Sequence, residues 1–341
     1  MPERSGRATM RDVAALAGVS IKTVSRVVNN EAGVAEGVRI RVQEAAARLD
    51  YRHNLAASNL RRGRGLSGLI GALLQDVSNS FSAALLRSLE DAARDRGSAI
   101  LSASLDEEPE RERALVHDLV TRRVDGLVLM PSTDRQDYLS SEVRAGLPVV
   151  FVDREPRGVA ADSVTVENFE GARMGVEHLL AQGHRRIACL TDLDEIYTAR
   201  RRREGYVAAF EARGIRPDPA LTISGVRGAG AGEAAVADLL DRADPPTALF
   251  AGRNDLAQGA IRALQRRGQS DAIALVGFDD FPLADLVSPP LTVVRQDVAR
   301  IGRLTADLLV ARLDGDDSPP HRIVVEPTLV VRGSGEIPPP H

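Results

Sequence analysis

At helical spacing, Ile21, Lys22, Thr23, Ser25, Arg26 and Asn29 fall on one face of a short stretch, and Val24, Val27 and Val28 take the other. The polar face combines donors for guanine O6 and N7, amide and hydroxyl groups for other base edges and phosphates, and one apolar side chain for a thymine methyl. That is the chemistry required of a helix lying in a DNA major groove. The elements that must position it are legible on either side. Thr9 can cap a first helix, with Asp12 in its first turn and Val13, Ala14 and Ala17 on one face; Gly18 ends that run and Ser20 caps the second helix. Val38, Val42, Ala45 and Leu49 give a third helical pattern and complete a small three-helix core. Thr9 and Ser20 join the candidate DNA contacts. The bare pattern leaves one alternative open, an ordinary helical hairpin inside a larger core.

No catalytic constellation accompanies this stretch. The six histidines are scattered, no His/Cys spacing suits a metal, and neither a Gly-x-Ser-x-Gly elbow nor a phosphate-loop sequence occurs. No catalytic residue, metal or cofactor is therefore expected, and His178 and His184, which bracket a helix end, are read as structural. The single cysteine, Cys189, lies in an apolar run and is read as a core residue. The formal net charge of −4 hides an asymmetry. Residues 1–64 hold 12 Lys and Arg against 6 Asp and Glu, while the whole chain has 44 against 48, which leaves the remainder at −10. A basic head on an acidic body suits a protein that grips a polyanion at one end. Lys22 is the only lysine in the chain and sits on the proposed reading face. With no apolar leader and no run approaching 18 apolar residues, a cytoplasmic location and no membrane association are expected.

From Leu69 the pattern changes to apolar strands alternating with amphipathic helices. Stretches 69–74, 99–103, 126–130, 149–152 and 163–166 read as buried parallel strands, joined by helices around 81–97, 110–122 and 135–145. The theme restarts with strands at 187–190, 221–223, 248–251 and 273–277. Two βα arrays imply two doubly wound subdomains with a ligand cleft beyond the carboxyl ends of their strands. Polar residues at those ends, Gln75, Asn79 and Phe81 after the first strand, Asp153 with Arg154 after the fourth, Arg202, Arg227, Arg253 and Asp279 in the second array, are the candidate ligand contacts.

The wording of these stretches is specific. Asp-Val-Ala-x-x-Ala-Gly-Val-Ser-x-x-Thr-Val-Ser-Arg-Val-x-Asn over residues 12–29, together with Val124-Asp125-Gly126-Leu127, Gly183-His184-Arg185-Arg186-Ile187, Arg202-Arg203-Glu204-Gly205-Tyr206 and Val276-Gly277-Phe278-Asp279-Asp280, resembles the lactose-repressor/galactose-repressor family of bacterial regulators. The resemblance covers residues 9 to about 334. It implies a helix-turn-helix headpiece at 8–52 and a hinge helix and linker at 53–66. The hinge would contact the minor groove through Asn54, Ala57, Leu60 and Arg61, with Leu60 as the wedge between base pairs.

It further implies a periplasmic-binding-protein-like core at 67–334, whose first subdomain takes about 67–166 and 295–325 and whose second takes about 167–294 and 326–334, then a tail at 335–341. Arg202 and Asp279 match positions where the family binds its effector. The sequence departs from the family pattern at several places. Ala35 replaces a usual capping serine, Gly37 lies in the following first turn and His53 replaces a hinge proline. Arg253 stands where asparagine is common, and Arg227 where a stacking aromatic is. The effector expected is a sugar or an anionic sugar derivative, and three arginines facing one cleft favour the anionic kind, a sugar phosphate, sugar acid or other carboxylate. The expectation is a homodimeric repressor that binds a pseudopalindromic double-stranded DNA operator and responds to a small molecule. A periplasmic-type ligand-binding protein and a sugar-processing enzyme are the other readings.

Overall fold

The computed structural model describes residues 8–29, 31–51 and 66–340, and the chain divides into two compact units, Met1–Ser67 and Gly68–His341. In the first, helices α1 (Met10–Ala17), α2 (Ile21–Val28) and α3 (Glu36–Arg48) close around Val13, Ala14, Ala17, Val24, Val27, Val42 and Ala45. Each boundary has a local cause. Thr9 caps α1 in a reciprocal box: its hydroxyl accepts from the Asp12 amide, and its own amide donates to the Asp12 carboxylate at 2.8 Å. Gly18 ends α1 at φ 66°, a conformation that costs glycine little, and the Ser20 hydroxyl accepts from the Thr23 amide at 3.1 Å to start α2. Ala35 offers α3 no side-chain cap.

The second unit carries two six-stranded sheets. The first runs in the order β11-β5-β4-β3-β1-β2, from β1 (Leu69–Leu74), β2 (Ala99–Ser104), β3 (Gly126–Leu129), β4 (Val149–Val152), β5 (Asp162–Val166) and β11 (Arg322–Val325). All its pairings are parallel. Alternate strand residues serve opposite faces. Ala72, Val128, Val150 and Val164 pack on α4 (Ser80–Asp95) and α11 (Val298–Leu313), while Leu73, Leu127, Leu129 and Phe151 pack on α5 (Pro109–Thr121) and the short α6 (Ser140–Arg144).

The second sheet, in the order β12-β10-β9-β8-β6-β7, is built from β6 (Ile187–Leu190), β7 (Thr222–Ile223), β8 (Ala248–Ala251), β9 (Ala274–Phe278), β10 (Thr292–Arg295) and β12 (Thr328–Val330). On one face lie α7 (Asn168–Ala181) and α8 (Tyr197–Glu211), on the other α9 (Gly228–Leu240) and α10 (Asn254–Arg266). The chain leaves the first sheet after β5, returns after β10, and passes over again between β11 and β12. Arg312 forks onto the buried Asp162 carboxylate at 2.7 and 2.9 Å, tying the end of α11 to the start of β5.

Several elements differ from the sequence reading. β2 is half-exposed rather than buried, because as an edge strand it pairs with β1 alone. The helix expected over 135–145 is one 3-10 turn at Asp137–Leu139 followed by the five residues of α6. The strand expected at 221–223 begins one residue later, as Leu221 closes a 3-10 turn. β10, β11 and β12 are additional, and β10–β12 is antiparallel. The end of the core and the start of the tail are docked: buried His184 reaches the Ile337 carbonyl at 2.8 Å through Nε2, Thr292 Oγ1 donates to Glu336 at 3.0 Å, and Ser334 Oγ donates to the Leu275 carbonyl at 2.6 Å. His178 contacts Glu336. Cys189 is buried in β6, and burial pushes its thiol up to about 12.

Candidate functional site

On α2 the apolar face is spent on the three-helix core, so the opposite face is left outward. Ile21 and Lys22 are exposed, with Ile21 at 45%. The remaining side chains of that face have local tasks. Thr23 Oγ1 and Ser20 Oγ lie 2.8 Å apart, and Asn29 Nδ2 donates to Ser25 Oγ at 3.2 Å. Arg26 Nη2 donates to the Ala32 carbonyl at 2.6 Å, with Glu31 3.5 Å from its Nε. Thr9 is occupied by its capping box. Arg26 is thus held by intramolecular acceptors, while Ile21 and Lys22 are exposed. Asn54, Ala57, Leu60 and Arg61, and the hinge segment that carries them, lie outside the described residues.

The carboxyl ends of the two sheets of the second unit face each other. Gln75 follows β1, Asn79 caps α4, and Asp153 follows β4; from the other side come Arg202 of α8, Arg253 and Asn254 after β8, and Asp279 after β9. With Phe81 they line one cavity of about 50 Å³. Asp153 and Asp279 occupy equivalent places in the two sheets and share a left-handed backbone, φ 69° and 70°, which a short polar side chain tolerates better than most. Arg202, 4% exposed, donates Nε to Asn168 at 2.7 Å and Nη1 to the Gly252 carbonyl at 2.8 Å and to Asp279 at 3.2 Å, and its guanidinium lies 3.7 Å over the Phe278 ring. Gln296 Nε2 donates to the other Asp279 oxygen.

Each arginine here has a carboxylate partner, which favours the neutral sugar over the anionic derivative among the effectors expected. Arg202 is paired with Asp279, Arg253 with Asp192 and with Asp255 at 3.1 Å, and Arg154 with Glu107. Burial raises the Asp153 carboxyl above the usual carboxylate range, and Arg154 and Arg202 offset only part of that. Burial opposes the charge on Arg253, yet Asp255 and Asp192 hold its guanidinium above the ordinary arginine value. No surplus of positive charge is left for an anion.

Arg227 is also placed differently from the expectation. It is 43% exposed, does not line the cavity, and spans the subdomains by donating to the Asp106 carbonyl at 2.9 Å. Glu107, Asp192, Asn254 and Gln296 line the cavity and were missed. Asp192 lies two residues beyond β6 and so carried a strand-end signal like that of Asp153. Gln296 follows β10, whose four residues gave no strand signal. The subdomains also touch across the cleft, where Asn79 and Asn254 exchange amide hydrogen bonds of 2.9 and 3.1 Å and Arg253 reaches Gln75 at 3.3 Å.

Residues 9–54 match the bacterial regulatory proteins of the lacI family, and residues 176–335 match the periplasmic binding protein-like domain. The ribose operon repressor of Escherichia coli K12 is 31% identical over 330 residues, 96% of this chain and 99% of that protein. The chain belongs to the lacI family. Two solved structures carry the likeness into three dimensions. A lac repressor dimer bound to operator and the anti-inducer ONPF is 29% identical with a TM-score of 0.84, covering 97% of this chain and 99% of that one. A complex of the regulator CelR with cellobiose is 32% identical with a TM-score of 0.70, covering 96% and 100%. The present lacI-family chain is accordingly a DNA-binding transcription regulator, with a helix-turn-helix unit and a two-subdomain α/β core. Among the described residues no helix is long and apolar enough to cross a membrane, and no group of three or more His, Cys, Asp or Glu side chains could hold a metal ion.

Proposed function

We propose that this regulator represses transcription as a homodimer on a pseudopalindromic operator, and that a neutral polyhydroxylated ligand, a saccharide, binds between the two subdomains and alters its affinity for DNA. The observation that carries the ligand class is the unfinished hydrogen bonding of a charge-balanced cluster. Arg154 Nε and Gln296 Oε1 are buried at the cleft without a hydrogen-bond partner among the described residues, one a donor and one an acceptor. Such atoms cost free energy when left unsatisfied, and alternating donors and acceptors suit hydroxyl groups, which do both. The ribose repressor and the CelR–cellobiose complex among its relatives support the same class.

On the DNA side, Ile21, Lys22 and Arg26 read base edges; Thr9, Ser20, Thr23, Ser25 and Asn29 support them, and Asn54, Ala57, Leu60 and Arg61 act in the minor groove. The protein works in the cytoplasm, where its operator is, and performs no turnover, so a saccharide incubated with it is recovered intact.

The test uses Asp279→Asn, which keeps the side chain's volume while weakening the acceptor pair shared by Arg202 and Gln296. Operator affinity by fluorescence anisotropy should stay within about twofold of the parent without ligand, and the shift produced by the effective saccharide, typically about 1–3 kcal/mol of coupling, should vanish. A full response in Asp279→Asn would remove the cleft as the sensor.

A further inference from the structure

The inner cleft is too small for the ligand it is built to recognise. Its volume of about 50 Å³ falls well below the roughly 150 Å³ cavity that admits a benzene ring. The cause is on its walls: Arg253, pinned to Asp192 and reaching Gln75, fills one side, and the Asn79–Asn254 pair closes another. A second chamber of about 570 Å³ adjoins it and shares Glu107, Arg154 and Ile196 with it. That volume lies within the roughly 300–1,000 Å³ of small-molecule sites.

This outer chamber has the features of a ring site. Its floor is Arg154, 8% exposed, whose Nη groups are held by Glu107 and the Pro131 carbonyl while Nε, without a hydrogen bond, lies 3.6 Å from the Asp153 carboxylate of the inner cleft. One wall, from the first subdomain, is fixed in advance. Buried Glu112 accepts from the Thr133 amide at 3.2 Å, from Thr133 Oγ1 at 2.8 Å, and from the Ser132 amide and the Tyr138 hydroxyl. The opposite wall, from the second subdomain, presents the half-buried Tyr197 ring at the first residue of α8. Ile196 stands at the cap of that helix and supplies no side-chain acceptor to its first turn. An aromatic face beside polar donors is the surface on which a sugar ring stacks.

We infer that the effector is a glycoside of at least two rings, one ring seated in the outer chamber against Tyr197 and Arg154 and the other reaching Arg202 and Asp279 in the inner cleft. The inference rests on the saccharide reading of the cleft and adds its length. One ring in the outer chamber alone would not reach the Arg202–Asp279 pair, and the inner cleft cannot enclose a ring without opening. A further chamber of about 640 Å³ touches the inner cleft on the side of the passages between sheets. Asp279, Asp280, Asp297 and Glu326 line it against Arg295, and the unpartnered polar atom at its edge, Gln296 Oε1, is a further acceptor beside these carboxylates, so it is the less suited of the two.

Isothermal titration of the full chain with glucose, galactose and ribose against cellobiose, maltose and lactose tests this. At least one disaccharide should bind with a Kd tenfold or more below that of its component sugars. Tyr197→Ala should raise that Kd about tenfold, Tyr197→Phe should restore it, and Phe281→Ala in the third chamber should leave it unchanged. Equal binding of a monosaccharide, or a loss with Phe281→Ala and none with Tyr197→Ala, would overturn the two-ring inference and keep the saccharide reading. No binding by any of the six sugars would overturn both.

Discussion

His184 shows how one side chain couples burial to pH. It is fully buried, with Nδ1 2.9 Å from Thr247 Oγ1 and Nε2 bonded to the Ile337 carbonyl. Burial lowers its pKa below the ordinary 6.5, and the carbonyl offsets part of that. In the unfolded chain the imidazole takes up a proton near 6.5, whereas in the folded chain it resists protonation until a lower pH. The unfolded state therefore binds more protons in that window, and stability falls as pH drops from about 6.5 towards the folded value. Thermal melts between pH 7.5 and 5.5 should show a decline in Tm that is shallower in His184→Gln. Parallel profiles for the two proteins would mean that another group sets the acid limb. Asp153 works in the opposite sense: its raised pKa makes the folded state gain its proton first, so its contribution improves as pH falls through that value.

Among the elements, α3 and the α9–α10 pair set different limits on change. α3 starts at Ala35 without a side-chain cap, and a Cβ added to Gly37 in its first turn would meet nothing within 4 Å. Ala35→Ser should therefore supply a cap worth about 1 kcal/mol, and Gly37→Ala about as much in helix propensity. Hydrogen exchange of the α3 amides in the full chain should slow in each variant and further in the double variant; unchanged exchange would place the weak point of the headpiece elsewhere. The helices α9 and α10 approach through glycine. A Cβ at Gly259 would lie 2.4 Å from the Ala229 carbonyl oxygen and 2.6 Å from the Glu233 amide nitrogen, both backbone atoms of the facing helix. Gly259→Ala must push the helices apart, at a cost of about 2–3 kcal/mol. Urea unfolding should record that loss, and a variant as stable as the parent would show that the contact can slide.

For the whole molecule, the charge asymmetry and the balanced cleft predict opposite responses to salt. Residues 1–64 carry the positive excess, and phosphate contacts made by Lys22, Arg26 and their neighbours release counterions. Operator affinity should then fall linearly in a log–log plot between about 50 and 200 mM salt, by roughly tenfold or more per few contacts. The saccharide meets arginines already neutralised by Asp279, Asp192 and Glu107, so its Kd should change less than twofold over the same range. A ligand affinity that drops as steeply as the DNA affinity would restore the anionic class.

Local chemistry made the headpiece legible. Thr9, Asp12, Gly18 and Ser20 each act through a bond or dihedral within three residues of themselves, and the valine spacing of α2 assigns its faces without reference to anything distant. The central strands were legible for the same reason, since burial on both faces leaves an unbroken apolar run. What lacked a local signal was decided by tertiary structure. β2 is half-exposed because it lies at an edge, and β10, β11 and β12 are short segments that become strands only by pairing with β9, β5 and β10 respectively. The cleft is the clearest case. The sequence alone put Arg202, Arg253 and Asp279 at strand ends, and from residue types it implied excess positive charge. The fold brings Asp279 to Arg202, Asp192 to Arg253 and Glu107 to Arg154 from separate loops, so a cavity counted as cationic along the chain has no positive excess in space. Charge pairing in the cleft depends on distances of a few ångströms between residues as far as 77 positions apart, Arg202 and Asp279, and sequence spacing carries no record of them.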